Sequence, residues 1–149
     1  MKLYLDTSAY VKLYYPEPET SVLSIWLRLQ QYKLLFNSFN ELEMTNAFSQ
    51  KLFRKEITPQ MFMAWNRQLQ QDKAKGILSV INLDWTDVFA RSIQLSFDYS
   101  SKLNTSSLDV VHVAAALQIG AELFVTNDRR QLALAREIGM NSKDVGELK

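Results

Sequence analysis

Cysteine is absent from the 149 residues. Its absence excludes a disulfide scaffold, thiolate metal centres, iron–sulfur clusters and a cysteine nucleophile. Histidine occurs once, at position 112. Neither an H-E-x-x-H metalloprotease site nor any zinc site built from several histidines can therefore be assembled. Four glycines and three prolines leave no linker or low-complexity tract. An excess of one charge is missing too: 17 Lys and Arg stand against 16 Asp and Glu, a formal +1. The overall charge points to no nucleic-acid partner and excludes none, because the local field decides. No apolar run approaches the ~20 residues of a membrane span. A charge at Asp6 leaves no room for a signal-peptide apolar region at the start. The expectation is a cytoplasmic protein without a membrane partner. Hydrophobic residues at 47% and charged residues at 22% lie in the globular range, and the length suits one domain spanning residues 1–149.

Short apolar runs alternate with helical patterns. Leu3–Leu5 reads as a buried strand ended by Asp6, and Thr7 or Ser8 can cap a helix that Pro16 and Pro18 stop. A helix over Thr20–Gln31, a strand at Leu34–Phe36 and an amphipathic helix over Asn40–Phe53 follow. Thr58-Pro59 opens another helix ending near Gly76. Ile77–Ile81 is a third strand, and Asp84 or Thr86 caps the helix after it. Ser107 caps a helix that Gly120 ends. Leu123–Thr126 is a fourth strand, Asp128 opens a last helix ending at Gly139, and Val145 marks a short edge strand. No tight hairpin joins two strands. Parallel strands need crossover helices, so the pattern predicts an α/β fold, a three-layer α/β/α sandwich with a central parallel sheet.

Ligands bind outside the carboxyl ends of strands in such a sheet. Asp6 and Asp128 follow strands directly, Glu41 and Glu43 begin the helix after the second strand, and Asp109 lies in the first turn of its helix. All fall at one edge. Each alone could be a helix cap or a charge suited to a helix dipole. As a set, Asp6, Glu43, Asp109 and Asp128 would repel one another unless a cation joins them. Oxygen-only ligands favour Mg²⁺ or Mn²⁺ over Zn²⁺. Such an ion activates water and stabilises the leaving oxygen in displacement at phosphorus. Glu41 and Glu43 point about 200° apart on a helix, so only one can face the crevice.

The chain resembles the PIN-domain ribonucleases of the VapC type, the toxins of toxin–antitoxin pairs. Leu5-Asp6-Thr7-Ser8-Ala9-Tyr10-Val11-Lys12 is similar to the family's opening motif. Glu43 followed by Asn46-Ala47-Phe48 resembles its second acidic motif and favours Glu43 over Glu41. Ser107-Leu108-Asp109-Val110-Val111-His112-Val113-Ala114-Ala115-Ala116 resembles the third, and Thr126-Asn127-Asp128 the closing T-x-D. The resemblance implies a parallel α/β/α fold, Mg²⁺ or Mn²⁺ held by Asp6, Glu43, Asp109 and Asp128, an RNA substrate and a water nucleophile. It also implies a homodimer and an antitoxin protein laid across a hydrophobic groove. Ser8, Thr126 and Asn127 take supporting roles. One departure is Ser106, where many relatives carry an arginine. His112 is expected as a packed, hydrogen-bonded core residue rather than a general base. Lys12, Arg129, Arg130, Lys51, Arg54 and Lys55 are candidate phosphate contacts, and Phe39 is among the aromatics that could stack a base.

Two other readings compete. A phosphatase of the haloacid-dehalogenase kind would use Asp6 as a covalent nucleophile, but expects an acid where Ser8 stands. A PIN-like module that binds without turnover would keep the fold and lack the metal.

Overall fold

The computed structural model describes residues 1–149. Strand β1 (Lys2–Leu5) enters α1 (Thr7–Tyr14), and α2 (Thr20–Leu29) leads into β2 (Lys33–Phe36). Two long helices follow, α3 (Ser38–Phe53) and α4 (Pro59–Ala74), then β3 (Ser79–Val80) and α5 (Trp85–Leu95). A π turn (Ser96–Ser100) and a short α6 (Ser101–Leu103) continue α5. The chain ends with α7 (Ser107–Gln118), β4 (Leu123–Thr126), α8 (Arg129–Glu137), β5 (Ser142–Asp144) and a 3₁₀ turn at Val145–Glu147. The strands form one sheet in the order β3-β2-β1-β4-β5. Every pairing is parallel.

Alternation along the central strands separates two cores. Leu3, Leu5, Leu123 and Val125 face Ala9, Leu23, Trp26, Met44, Phe48 and Trp65 on the helices α1 to α4. Tyr4 and Phe124, one residue out of phase, face Val88, Val110, Ala114, Leu134 and Ala135 on α5, α7 and α8. The sheet is thus covered on both sides, as parallel sheets require, and the expected three-layer sandwich is the observed one. Within the first core Trp65 stacks on Phe48, with ring centroids 4.2 Å apart. The Tyr10 hydroxyl donates to the Leu35 carbonyl oxygen at 2.6 Å, tying α1 to β2.

Several boundaries move from their expected places, each for a local reason. Helix α1 is capped by Asp6, one residue before the expected Thr7 or Ser8. Helix α7 is capped by Ser106 rather than Ser107. Helix α3 starts at Ser38, because Asn37 and Asn40 form a reciprocal capping box. The third strand pairs only at Leu35↔Ser79 and Phe36↔Val80, since an edge position offers one neighbour. At the tail, β5 lies at Ser142–Asp144, and Val145 opens the 3₁₀ turn instead of marking the strand. Gly120 and Gly139 adopt φ of 64° and 79° just past α7 and α8, the left-handed conformation that ends a helix at little steric cost to glycine.

Leu134 is fully buried, whereas Leu29 is 71% exposed. Leu134→Ala is expected to cost about 2–5 kcal/mol in urea unfolding. Leu29→Ala should stay within about 0.5 kcal/mol. Equal losses would contradict this assignment of the core.

Candidate active site

The carboxyl ends of β1 and β4 lie side by side in the sheet, and Asp6 N–H continues the ladder by donating to the Val125 carbonyl oxygen at 3.1 Å. Helices α1, α7 and α8 all begin at this edge, with Asp6, Asp109 and Asp128 at their N-terminal ends. An open crevice of about 620 Å³ forms there, lined by Asp6, Glu43, Asp109 and Asp128 together. The four acids of the sequence reading therefore share one cavity.

Three of the four also serve as helix caps. Asp6 Oδ1 accepts the Ala9 N–H at 3.1 Å. Asp128 Oδ1 accepts the N–H groups of Arg130 and Gln131 at 2.8 and 3.1 Å. Asp109 Oδ2 accepts the Ser106 N–H at 2.9 Å, while Ser106 Oγ accepts the Asp109 N–H at 3.2 Å. Capping and a shared site are thus compatible. The free amides of a helix start hold each carboxylate, and the positive end of the helix dipole stabilises its charge.

Glu43 comes from α3, and its Oε1 receives the Thr7 hydroxyl at 2.6 Å and His112 Nε2. Burial raises its pKa, but the His112 contact and the Thr7 hydrogen bond outweigh that and hold the carboxyl below its ordinary range. Glu41 points elsewhere, as the helical angle requires, and pairs with Lys73 Nζ of α4 at 2.6 Å. Asp6 is 1% exposed. Burial pushes its carboxyl above the ordinary value, against the opposing hydrogen bonds from Ser8 and the Ala9 amide.

The supporting residues sit beside these acids. Ser8 Oγ lies 2.8 Å from both Asp6 oxygens and accepts the Asn127 N–H at 3.4 Å. Thr126 Oγ1 accepts the Asp128 N–H at 2.9 Å. Asn127 thus contributes its backbone amide. Gln131 escaped the sequence reading. Its Nε2 donates to Asp109 Oδ1 at 3.3 Å, linking α8 to α7 under the crevice. The signal was a polar residue one turn before Ala135 on the buried face of a helix. Thr7, a candidate either to cap α1 or to hold Asp6 or a ligand water, instead donates to Glu43. His112 is buried and hydrogen-bonded, as expected, through Nδ1 to the Tyr4 hydroxyl at 2.7 Å.

No lysine or arginine lines the crevice. Lys12, a candidate phosphate contact, is buried at 4% exposure and bound to Glu17 and Glu19 at 2.5 and 2.9 Å. Neutralising it there avoids an unpaired buried charge. Lys51 pairs with Glu56 at 3.6 Å and lies 3.9 Å over the Tyr15 ring, and Arg54 also pairs with Glu56. Phe39 does line the crevice, with its ring centroid 4.7 Å from that of His112.

The donor set is oxygen-rich and net negative, which suits a hard divalent cation. The carboxylates do not close into a ready-made cage, for no three His, Asp or Glu side chains converge tightly enough to hold an ion by themselves. Several of their oxygens are occupied by caps and by Ser8, Thr7, His112 and Gln131. Such a set fits an ion that keeps part of its water shell and takes few direct carboxylates, as Mg²⁺ commonly does.

A parallel α/β/α sandwich with four acids at its carboxyl edge defines a class, and comparison with known proteins agrees. The PIN domain family profile matches residues 3–137. The chain is 32% identical over 149 residues to Ribonuclease VapC47 of Mycobacterium tuberculosis (strain CDC 1551 / Oshkosh), covering 99% of both chains. This protein belongs to the PIN-domain family. Its fold is similar to that of FitAcB from Neisseria gonorrhoeae, with a TM-score of 0.69, 17% identity and 98% and 99% of the two chains covered. It is also similar to VapBC-1 from nontypeable Haemophilus influenzae, with a TM-score of 0.64, 12% identity and 99% and 100% covered. Membership sets aside the haloacid-dehalogenase reading, and Ser8, where that class needs an acid, instead holds Asp6. No helix is long and apolar enough to cross a membrane.

The double use of Asp128 is separable. Asparagine caps a helix about as well as aspartate, so Asp128→Asn should leave the melting temperature close to wild type. Asp128→Ala should cost about 0.5–2 kcal/mol. A loss as large in Asp128→Asn as in Asp128→Ala would contradict the capping role.

Proposed function

We propose that the chain is a metal-dependent endoribonuclease, acting as one domain over residues 1–149 and serving as the toxin of a toxin–antitoxin pair. The observation that carries this reading is a crevice lined by Asp6, Glu43, Asp109 and Asp128 with no lysine or arginine among its lining residues. A phosphodiester would be repelled from such a place, so a cation must mediate between the carboxylates and an anionic substrate. Mg²⁺ or Mn²⁺ is the ion proposed, with Asp6, Glu43, Asp109 and Asp128 as the residues that hold it, directly or through water. When bound, such an ion polarises the phosphate and lowers the pKa of water.

The chain's own residues supply position and charge. The Ser8 hydroxyl donates its one hydrogen to the Asp6 carboxylate, Gln131 and Ser106 fix Asp109, and the first turn of α8 fixes Asp128. Preorganised carboxylates need no rearrangement when an ion and a phosphate arrive. Water is the attacking group in this reading, and no covalent intermediate is expected. Phe39 at the crevice offers a face on which an unpaired base can stack.

The VapC47 relative, a ribonuclease by name, supports RNA as substrate. VapBC assemblies among the fold neighbours support an antitoxin protein as partner. A homodimer is proposed from the family resemblance, and a cytoplasmic location from the lack of any long apolar run.

A panel of structured and single-stranded RNAs tests the reading with Mg²⁺, Mn²⁺ or EDTA. Wild type should cleave only with metal. Asp6→Asn and Asp109→Asn should each lose about a hundredfold or more in rate while remaining folded. Metal-dependent cleavage that survives in both variants would overturn the reading. A wild type that neither cleaves nor binds metal would favour the non-catalytic module.

A further inference from the structure

His112 is the chain's only histidine and is 1% exposed. Both ring nitrogens are engaged. Nδ1 lies 2.7 Å from the Tyr4 hydroxyl, and Nε2 contacts Glu43 Oε1, with Thr7 Oγ1 at 3.4 Å. Phe39 and Tyr4 pack against the ring, with centroids 4.7 and 5.9 Å away.

Donors and acceptors fix the direction of these bonds. A carboxylate only accepts, so Nε2 carries a hydrogen towards Glu43. The Asn37 side-chain oxygen already accepts the Asn40 N–H at 2.9 Å, so its amide nitrogen donates to the Tyr4 oxygen at 3.4 Å. Tyr4 is fully buried, and the one acceptor for its own hydrogen is His112 Nδ1. A hydrogen on Nδ1 would orphan the tyrosine hydrogen where no water reaches. The chain of bonds therefore runs one way, from Asn37 through Tyr4 and His112 to Glu43.

At its end Glu43 Oε1 receives two donors, Thr7 and His112, while Oε2 receives none from the protein. Three rotatable bonds would otherwise let this side chain swing on α3. We propose that His112 is a positioning residue for Glu43: held as the Nε2–H tautomer by Tyr4 and Asn37, it pins Oε1 and leaves Oε2 as the oxygen offered to the cation. This inference rests on the metal-dependent reading above. It also removes His112 as a general base, because the Nδ1 lone pair is committed to Tyr4 and Nε2 already bears its hydrogen.

A single histidine makes the test direct. A long-range ¹H–¹⁵N spectrum of the full, labelled, metal-free chain reads one imidazole. The expected result is hydrogen on Nε2 and a bare Nδ1. Hydrogen on Nδ1, as the other tautomer or as imidazolium, overturns the proposal. Mn²⁺ titration of the same protein reads the consequence. His112→Leu should weaken Mn²⁺ binding by about 10–100-fold, and His112→Gln, whose amide still donates, should recover most of it. A folded His112→Leu protein with wild-type affinity overturns the proposal. If that variant does not fold, His112→Asn carries the test: its shorter amide stands near the Nδ1 position, away from Glu43, so Mn²⁺ binding should fall where His112→Gln holds it, and equal affinities of the two variants overturn the proposal. A wild type that takes up no Mn²⁺ overturns the metal-dependent reading instead, and the imidazole spectrum still decides the direction of the chain.

Discussion

A helix that follows a parallel strand starts with free backbone amides at the carboxyl edge of the sheet, and something must satisfy them. Here carboxylates do much of that work. Asp6 caps α1 at the end of β1, and Asp128 caps α8 after β4. Asp109 closes the capping box of α7. Because β1 and β4 are neighbours in register, those helix starts meet. The requirement that makes each helix begin also gathers the charges of the site, so fold stability and site geometry share the same bonds.

That economy sets the electrostatics. Helix dipoles offset part of the negative charge, and hydroxyls and amides offset more. Burial itself still holds the Asp6 carboxyl above its ordinary value. No lysine or arginine among the crevice's lining residues answers the negative charge. Lys12, one turn along α1 from Ser8, is spent on Glu17 and Glu19, and Lys51 and Arg54 on Glu56. The crevice keeps an unmet demand for positive charge, and an exchangeable cation is the partner that meets it without closing the cleft to a substrate.

Most of this architecture was legible in the residues. Apolar runs bounded by Asp6, Pro16 and Gly120 mark elements because backbone chemistry stops there. The angle between Glu41 and Glu43 follows from helix geometry, and Glu41 indeed turns to Lys73. Caps were displaced by one residue because Asp6 and Ser106 compete with adjacent Thr7 and Ser107 of similar capping strength. Only the chain's path into the helix decides between them. Side chains that reach across elements were harder to see. Gln131 meets Asp109 of another helix, Tyr4 meets His112 across 108 positions, and Lys12 finds Glu17 and Glu19 beyond Pro16. None of these follows from periodicity, since each depends on a tertiary approach that local pattern does not encode.

The account stands on a cation held by Asp6, Glu43, Asp109 and Asp128. Anomalous diffraction from crystals of the protein grown with Mn²⁺ tests this most directly. The expected result is a peak in the crevice, within direct or one-water reach of Asp6, Glu43 and Asp109, that disappears in Asp6→Asn crystals. Density for Mn²⁺ elsewhere on the molecule, with none among these carboxylates, would contradict it.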